Sequence, residues 1–481
     1  MKNRFIAFAL ATAALATPAL PAAESAAAWQ ARHDSLVVRL HRLASSETRF
    51  GAAWAPVYHA ALPWYERWGG NPQHSVDDWM SPPETYAEEL AGALEQGRNF
   101  FAENPGALIP LVFTARLPDG RTLDSNYWLT LPAGFPAEGR KFPLVIGLHG
   151  SGWLGHKISF VHQARKDPAG GRAFTVTPID EAGPWQIDFL NAYLDELLRI
   201  LPIDPDRVYL EGHSLGAMAT WEWATDNPER FAAISPRAGR GEPYRASRLR
   251  NIPAWVIHGE KDNVVFTGFA DEMVTALEDL GGRVRYTILP GGEHNMPADL
   301  DEAQVLDWYL RQTRSHDPVP PDPRDQLGLT PDGFSPWQVV PDGAFTGWKS
   351  GAVPMADLNA WLRAAAAMFD HVHARGERVD APVVIQADPK ANQATLWLAV
   401  PKTLHPAGRA ADATTTTRPA GRSIRFYFRG PTKDALAHAA QVITEAQAAG
   451  HHVHGDEVWI TPLSLWFDTP GYIAEYRLHL D

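Results

Sequence analysis

The sequence predicts an α/β chain, with a mostly parallel sheet flanked by helices in its middle. A helical extension precedes this sheet, and a smaller pseudo-symmetric α+β domain follows it. Three observations predict this. The apolar runs Pro143–Leu148, Arg207–Leu210 and Ala254–Ile257 are too continuous for half-exposed strands. Helix-period stretches, Gln186–Leu201 and Leu215–Thr225, lie between them, and buried strands alternating with helices imply a parallel sheet covered on both faces. Near the C-terminus, a helix followed by two strand-like runs occurs twice, roughly 75 residues apart.

Composition bounds the rest. At one domain per roughly 150 residues, 481 residues allow about three domains. An apolar fraction of 45% and a charged fraction of 21% are ordinary globular usage. Lys+Arg 43 against Asp+Glu 56 leaves a net charge of −13, which argues against nucleic acid or an anionic membrane as a partner. With no cysteine, disulfides, thiolate-held metals and a thiol nucleophile are excluded. Eighteen tryptophans must mostly fill cores, and the surplus offers flat surfaces for sugar or aromatic groups.

Lys2 and Arg4, the apolar run Phe5–Leu15, and then Thr17-Pro18-Ala19-Leu20-Pro21 follow the order of a cleavable secretory signal, placed at 1–23. No later run approaches the roughly 20 apolar residues of a membrane span. The expectation is an exported bacterial protein, periplasmic or extracellular, with no stable membrane insertion.

Residues 24–106 read as helical, Tyr86–Leu94 with apolar positions three and four apart, up to Asn104-Pro105-Gly106. The central domain is expected over 107–314. It opens with a hairpin, Leu111–Leu117 and Asn126–Pro132 around Pro118-Asp119-Gly120. The Pro- and Asp-rich stretch 315–336 reads as a linker. In 337–481, helices Ala356–Gly376 and Asp434–Gly450 each precede two strands, and the Thr414–Thr417 tract divides the halves.

The chemical signal is Gly212-His213-Ser214-Leu215-Gly216, which ends a buried strand and opens a helix. Such a strand–turn–helix projects a serine above the sheet. Serine needs an adjacent base, and the base an orienting carboxylate. Asp262 follows the strand Ala254–Ile257, and His294 lies in the turn Pro290-Gly291-Gly292-Glu293-His294 after another strand. Taken singly, these read as a helix cap, a turn former and a loop residue. In this order and at strand ends, they read as nucleophile, acid and base. An oxyanion would need two backbone N–H donors, assigned to Leu215 and to Ser151 in the turn Leu148–Trp153. That turn also fits GxGxxG (Gly150 to Gly155), but Trp153 and Leu154 would crowd a pyrophosphate. Trp153 and Trp185 are expected beside the cleft as substrate contacts. The clusters His371-Val372-His373 and His451–His454 are placed in loops after helices rather than on a metal. No metal or cofactor is expected.

On Tyr127–Pro132, Leu148-His149-Gly150, Ile203–Tyr209, Gly212–Gly216 and Phe231–Ile234, residues 107–313 resemble α/β-hydrolases. The resemblance is to secreted esterases, with carboxylesterase, polyhydroxybutyrate depolymerase, feruloyl esterase and predicted-peptidase relatives. It implies cleavage of a small-molecule or polymer ester by a serine acyl-enzyme route. Relatives often carry a second glycine where this chain has Ala217. On Phe428–Pro431 and Tyr472–Leu480, residues 337–481 resemble gyrase-inhibitor-like effector-binding domains. That resemblance makes Glu475 a carboxylate facing an apolar ligand cleft. Two other readings stay open: a serine peptidase of prolyl-oligopeptidase type, lacking the usual propeller, and a ligand-binding protein on a hydrolase scaffold.

Overall fold

The computed structural model describes residues 26–44, 48–69, 83–104, 106–150, 171–179, 185–295, 301–401, 415–464 and 471–481. The expected secretory signal lies outside them.

The first sheet has eight strands: β1 (Leu108–Arg116), β2 (Thr122–Thr130), β3 (Phe142–Leu148), β4 (Phe174–Pro178), β5 (Ile203–His213), β6 (Ala233–Arg237), β7 (Ala254–Gly259) and β8 (Val284–Leu289). Their spatial order is β1-β2-β4-β3-β5-β6-β7-β8. The β1–β2 hairpin is antiparallel in the expected place, and from β4 onward every pairing is parallel.

The continuity of the apolar runs follows from this arrangement. On β3, Leu144 and Ile146 join one core while Val145 joins the core on the opposite face. Alternate side chains point to opposite faces, so a strand covered on both has no position left for a polar residue. The first core is roofed by α1 (Ala26–Ala44), α2 (Ala55–Ala61), α3 (Pro83–Glu95), α4 (Phe100–Glu103), α5 (Ile187–Ile200), α6 (Leu215–Asp226) and α7 (Thr267–Asp279). Thus the N-terminal helices share the main core through Tyr58, Trp64 and Leu90. A π-helical turn, Tyr65–Gly69, interrupts their α-helical run. On the other face, α8 (Glu302–Tyr309) covers Tyr209 and Trp255 with Val305 and Tyr309.

The second sheet is antiparallel, with strands β9 (Gln338–Asp342), β10 (Phe345–Lys349), β11 (Val353–Pro354), β12 (Val384–Asp388), β13 (Gln393–Ala399), β14 (Thr416–Arg418), β15 (Gly421–Arg429), β16 (Val458–Pro462) and β17 (Ile473–Leu480). Helices α9 (Leu358–His373) and α10 (Thr432–Ala448) follow β11 and β15. In the order β14-β10-β13-β12-β16-β17-β15-β9, the run β10-β13-β12 is mirrored by β15-β17-β16. The two halves meet at the β12–β16 pair. The repeat read from sequence is therefore a β-α-β-β unit, whose first strand carried no recognised signal.

The stretch 315–336 is not a free spacer but is laid along the first sheet's helical layer. Arg248 donates to the Pro320 carbonyl at 3.0 Å, and Arg245 Nε to Asp322 at 3.0 Å. Helix α7 is the plate against which the second domain packs. A Cβ on Gly268 would lie 2.4 Å from the Phe369 ring, so only glycine admits that ring. Beside it, Asp271 accepts hydrogen bonds from Tyr286 (2.7 Å), His373 (2.6 Å) and the Val379 amide (3.2 Å). His371 and His373 thus lie in the last turn of α9, within the helix expected over Ala356–Gly376 and not in a loop following it.

Candidate active site

Ser214 occupies the single residue between β5 and α6, at φ 55° and ψ −119°. A non-glycine residue there is strained, and such strain persists only where the surroundings enforce it. They do so by close packing. A Cβ on Gly212 would lie 2.2 Å from the Gly216 carbonyl oxygen, and one on Gly216 would lie 2.1 Å from that of Leu148. The two motif glycines are required because strand, turn and helix meet at backbone contact. The Ser214 amide donates to the Arg237 carbonyl at 2.9 Å, tying the turn to β6. Ala217 is fully buried in place of the second glycine, and Gly239 makes room for its methyl: a Cβ on Gly239 would lie 2.4 Å from Ala217 Cβ.

The turns after β7 and β8 are bonded to each other. Glu260 N–H donates to the Leu289 carbonyl (3.0 Å) and Lys261 N–H to that of Gly292 (2.7 Å). This lashing places Asp262 beside His294, although 32 residues separate them. His294 Nδ1 lies 2.8 Å from Asp262 Oδ2, and His294 Nε2 lies 2.9 Å from Ser214 Oγ. A carboxylate only accepts, so the proton sits on Nδ1 and the Nε2 lone pair faces the serine hydroxyl.

Asp262 is buried, which by itself would raise its pKa. Hydrogen bonds from His258, His294 and the Val264 and Val265 amides outweigh burial and hold the carboxyl well below the usual carboxylate range. Both amides donate to Oδ1 at 2.9 Å, leaving Oδ2 for the imidazole.

Two histidines in the support were not singled out from sequence. His213 Nε2 lies 2.7 Å from the His294 carbonyl oxygen, and burial pushes its pKa down to about 4. The ring is therefore neutral at neutral pH, and its one N–H donates to that carbonyl. His258 Nε2 lies 2.7 Å from the Val265 carbonyl and 3.2 Å from Asp262. His213 stands next to the nucleophile and His258 next to the acid turn, and that adjacency was the available signal. Beneath the site, the buried Arg237 guanidinium pairs with Glu211 at 3.0 Å and with Glu302 of α8.

Leu215 opens α6 directly after the serine, where first-turn amides have no partner within the helix. Ser151 and Trp153 lie outside the described residues. Of the two other expected contacts that are described, Trp185 and Glu475, the structure corrects the second. Trp185 is buried, its indole N–H donates to the His149 carbonyl at 3.2 Å, and its ring packs on His149. Its neighbour His149 precedes Gly150, where a Cβ would lie 3.2 Å from Ser214 Cβ, so Trp185 packs close to the nucleophile turn. Glu475 does not face an apolar cleft: its neighbours Ala474 and Tyr476 enter the core, so its own side chain takes the opposite face and pairs with Arg477 at 2.6 Å. Glu475 was chosen through the family resemblance, and strand parity decided otherwise.

Eight strands in this order, with a strained serine between the fifth and a helix, settle the fold. The larger sheet with its helices is an α/β-hydrolase fold. No family model matches the chain. The chain is 32% identical over 162 residues to NocK of Nocardia uniformis subsp. tsuyamanensis, which carries an esterase name; the match covers 30% of this chain and 46% of that one. It is 33% identical over 134 residues to poly(3-hydroxyalkanoate) depolymerase C of Paucimonas lemoignei, covering 24% and 31% respectively. The chain thus spans less than half the length of these curated relatives. Among solved structures, a thermostable esterase matches at 26% identity and a TM-score of 0.36, over 43% of this chain and 63% of that one.

Proposed function

We propose that this chain is an exported serine hydrolase that cleaves carboxylic esters through an acyl-enzyme. The observation that carries the reading is the relay from Ser214 Oγ to His294 (2.9 Å) and on to Asp262 (2.8 Å). In the proposed cycle His294 Nε2 takes the hydroxyl proton as Ser214 Oγ bonds to the ester carbonyl carbon. The Leu215 and Ser151 amides stabilise the oxyanion that forms. The tetrahedral species collapses, His294 gives its proton to the leaving alkoxide, and the acyl group stays on Ser214. Water, deprotonated by the same imidazole, releases the acid and restores the serine. Asp262 fixes the tautomer and steadies the imidazolium.

For substrates, we favour acetyl or feruloyl groups on polysaccharide, or a polyester. The polyester is supported by the named activity of the depolymerase relative, and a polymer of either kind by the export signal read at 1–23.

A fluorophosphonate probe should label the full chain and not Ser214→Ala. A panel of acetyl, feruloyl and longer-chain p-nitrophenyl esters should turn over faster than peptide anilides. Faster anilide cleavage would replace this reading with a peptidase. Absence of labelling on folded protein would leave the hydrolase fold as a scaffold.

A further inference from the structure

Between the two domains lies a cavity of about 390 Å³ that the catalytic relay does not line. Its size falls in the range of small-molecule sites. The second domain supplies apolar wall: Trp361, Leu362 and Ala365 from α9, with Ile385 and Leu396 from the sheet beneath. The hydrolase domain supplies Arg240 from the loop after β6 and Glu272 from α7, with Glu242 and Tyr244, and the second domain adds the hydroxyls of Ser464 and Tyr472.

Arg240 and Glu272 are not partnered like the other charges nearby. Glu242 is taken by Arg245 at 3.2 Å, and Asp271 by Tyr286, His373 and Val379. In contrast, Glu272 is 8% exposed, and although its carboxyl accepts from the Val383 amide, its Oε1 has no hydrogen-bond partner. The buried Nε of Arg240 has none either, and the guanidinium lies 4.8 Å over the Phe269 ring. Among the described residues, no ion pair joins Arg240 to Glu272. A buried donor left without an acceptor is costly, and protein interiors rarely leave one so.

Burial pushes the Glu272 carboxyl up to about 8, against the pull of Arg240. At neutral pH it is mostly an uncharged O–H donor, whereas a guanidinium stays charged. The cavity therefore presents the Arg240 guanidinium, which Glu272 and Glu242 attract without hydrogen-bonding it, and a second donor, set in aromatic and aliphatic wall.

We infer that this interdomain cavity is a binding site for an aromatic monocarboxylate, whose carboxylate is held by Arg240 and Glu272 and whose ring lies against Trp361. A cation would meet Arg240 in a low-dielectric site, and a neutral apolar molecule would leave both donors unsatisfied. The inference is independent of ester cleavage, because the site does not contain Ser214 and its test measures no turnover.

The test is calorimetric titration of the full chain with 2-naphthoate, 2-naphthamide and (2-naphthylmethyl)trimethylammonium. Naphthoate should bind at least tenfold more tightly than the amide, and the cation should not bind. Arg240→Met should lose that tenfold preference while keeping its thermal unfolding transition. Ala365→Phe, which fills the apolar end, should weaken naphthoate and naphthamide alike. Equal or tighter binding of the cation, or no binding of naphthoate at millimolar concentration to folded wild type, would overturn the inference. If Arg240→Met fails to fold, the three-ligand ranking on wild type decides alone.

Discussion

Ser214 sits at a φ of 55°, which an L side chain adopts only at a cost. Strain of this kind runs to about 1–3 kcal/mol, and glycine relieves most of it. Ser214→Gly should therefore unfold at a higher temperature than Ser214→Ala, by about 1 kcal/mol of stability, although neither variant turns over ester. Equal melting temperatures would show that the turn is not strained. Loss of the hydroxyl should lower kcat by about a million-fold, leaving only what binding and the oxyanion donors supply. Asp262→Asn tests the tautomer instead. An amide can donate to Nδ1 and turn the imidazole's proton toward the serine, so kcat should fall by about 10⁴-fold with KM little changed. A fall of less than tenfold would show that Asp262 does not set the tautomer.

At the level of elements, the nucleophile turn depends on glycines that admit neighbouring backbone, and the strap 315–336 depends on charge. Gly216→Ala would drive a methyl into the Leu148 carbonyl. It should cost about 1–3 kcal/mol or more in denaturant unfolding, together with most of the activity. Asp322 is pulled down to about 2: burial would raise it, but hydrogen bonds from Arg245 and Arg324 outweigh burial. Because the folded-state value is depressed, its stabilisation is present above the ordinary carboxylate value and is lost as pH falls toward 2. The melting-temperature gap between wild type and Asp322→Asn should thus be constant above about pH 4 and close between pH 4 and 2. A gap independent of pH would remove the strap's ion pairs from the account. The strap was legible in sequence only as proline and aspartate. Whether such a stretch hangs free or docks depends on Arg245 and Arg248, more than 70 residues before their partners.

Across the whole molecule, α7 carries both the Asp271 clamp to the second domain and Glu272, whose Oε1 has no hydrogen-bond partner. Glu272 holds a proton in the folded chain that the unfolded chain releases, so stability falls as pH rises from about 4.5 to 8. Glu272→Gln removes that loss. Its melting temperature should exceed that of wild type by a few degrees near pH 8, and the advantage should vanish near pH 4.5. A constant advantage, or none, would place the carboxyl in water rather than in the interdomain cavity. Sequence offered no sign of this carboxyl, since a lone glutamate on an amphipathic helix reads as a solvated residue. The second domain reaches that carboxyl, which accepts a hydrogen bond from the Val383 amide.

What the sequence determined by itself is local. The apolar runs became strands buried on both faces, and Gly212-His213-Ser214-Leu215-Gly216 became a strained turn. Asp262 and His294 fell at strand ends because turn residues end strands wherever they occur. Each of these follows from sterics and hydrophobic period over a few neighbouring residues. Tertiary structure alone decided which long-range partners met. It packed Trp185 on His149, turned Glu475 away from the core by strand parity, and set His213 and His258 behind the relay. Those outcomes depend on contacts between segments tens of residues apart, and composition and periodicity carry no information about which distant segments will touch.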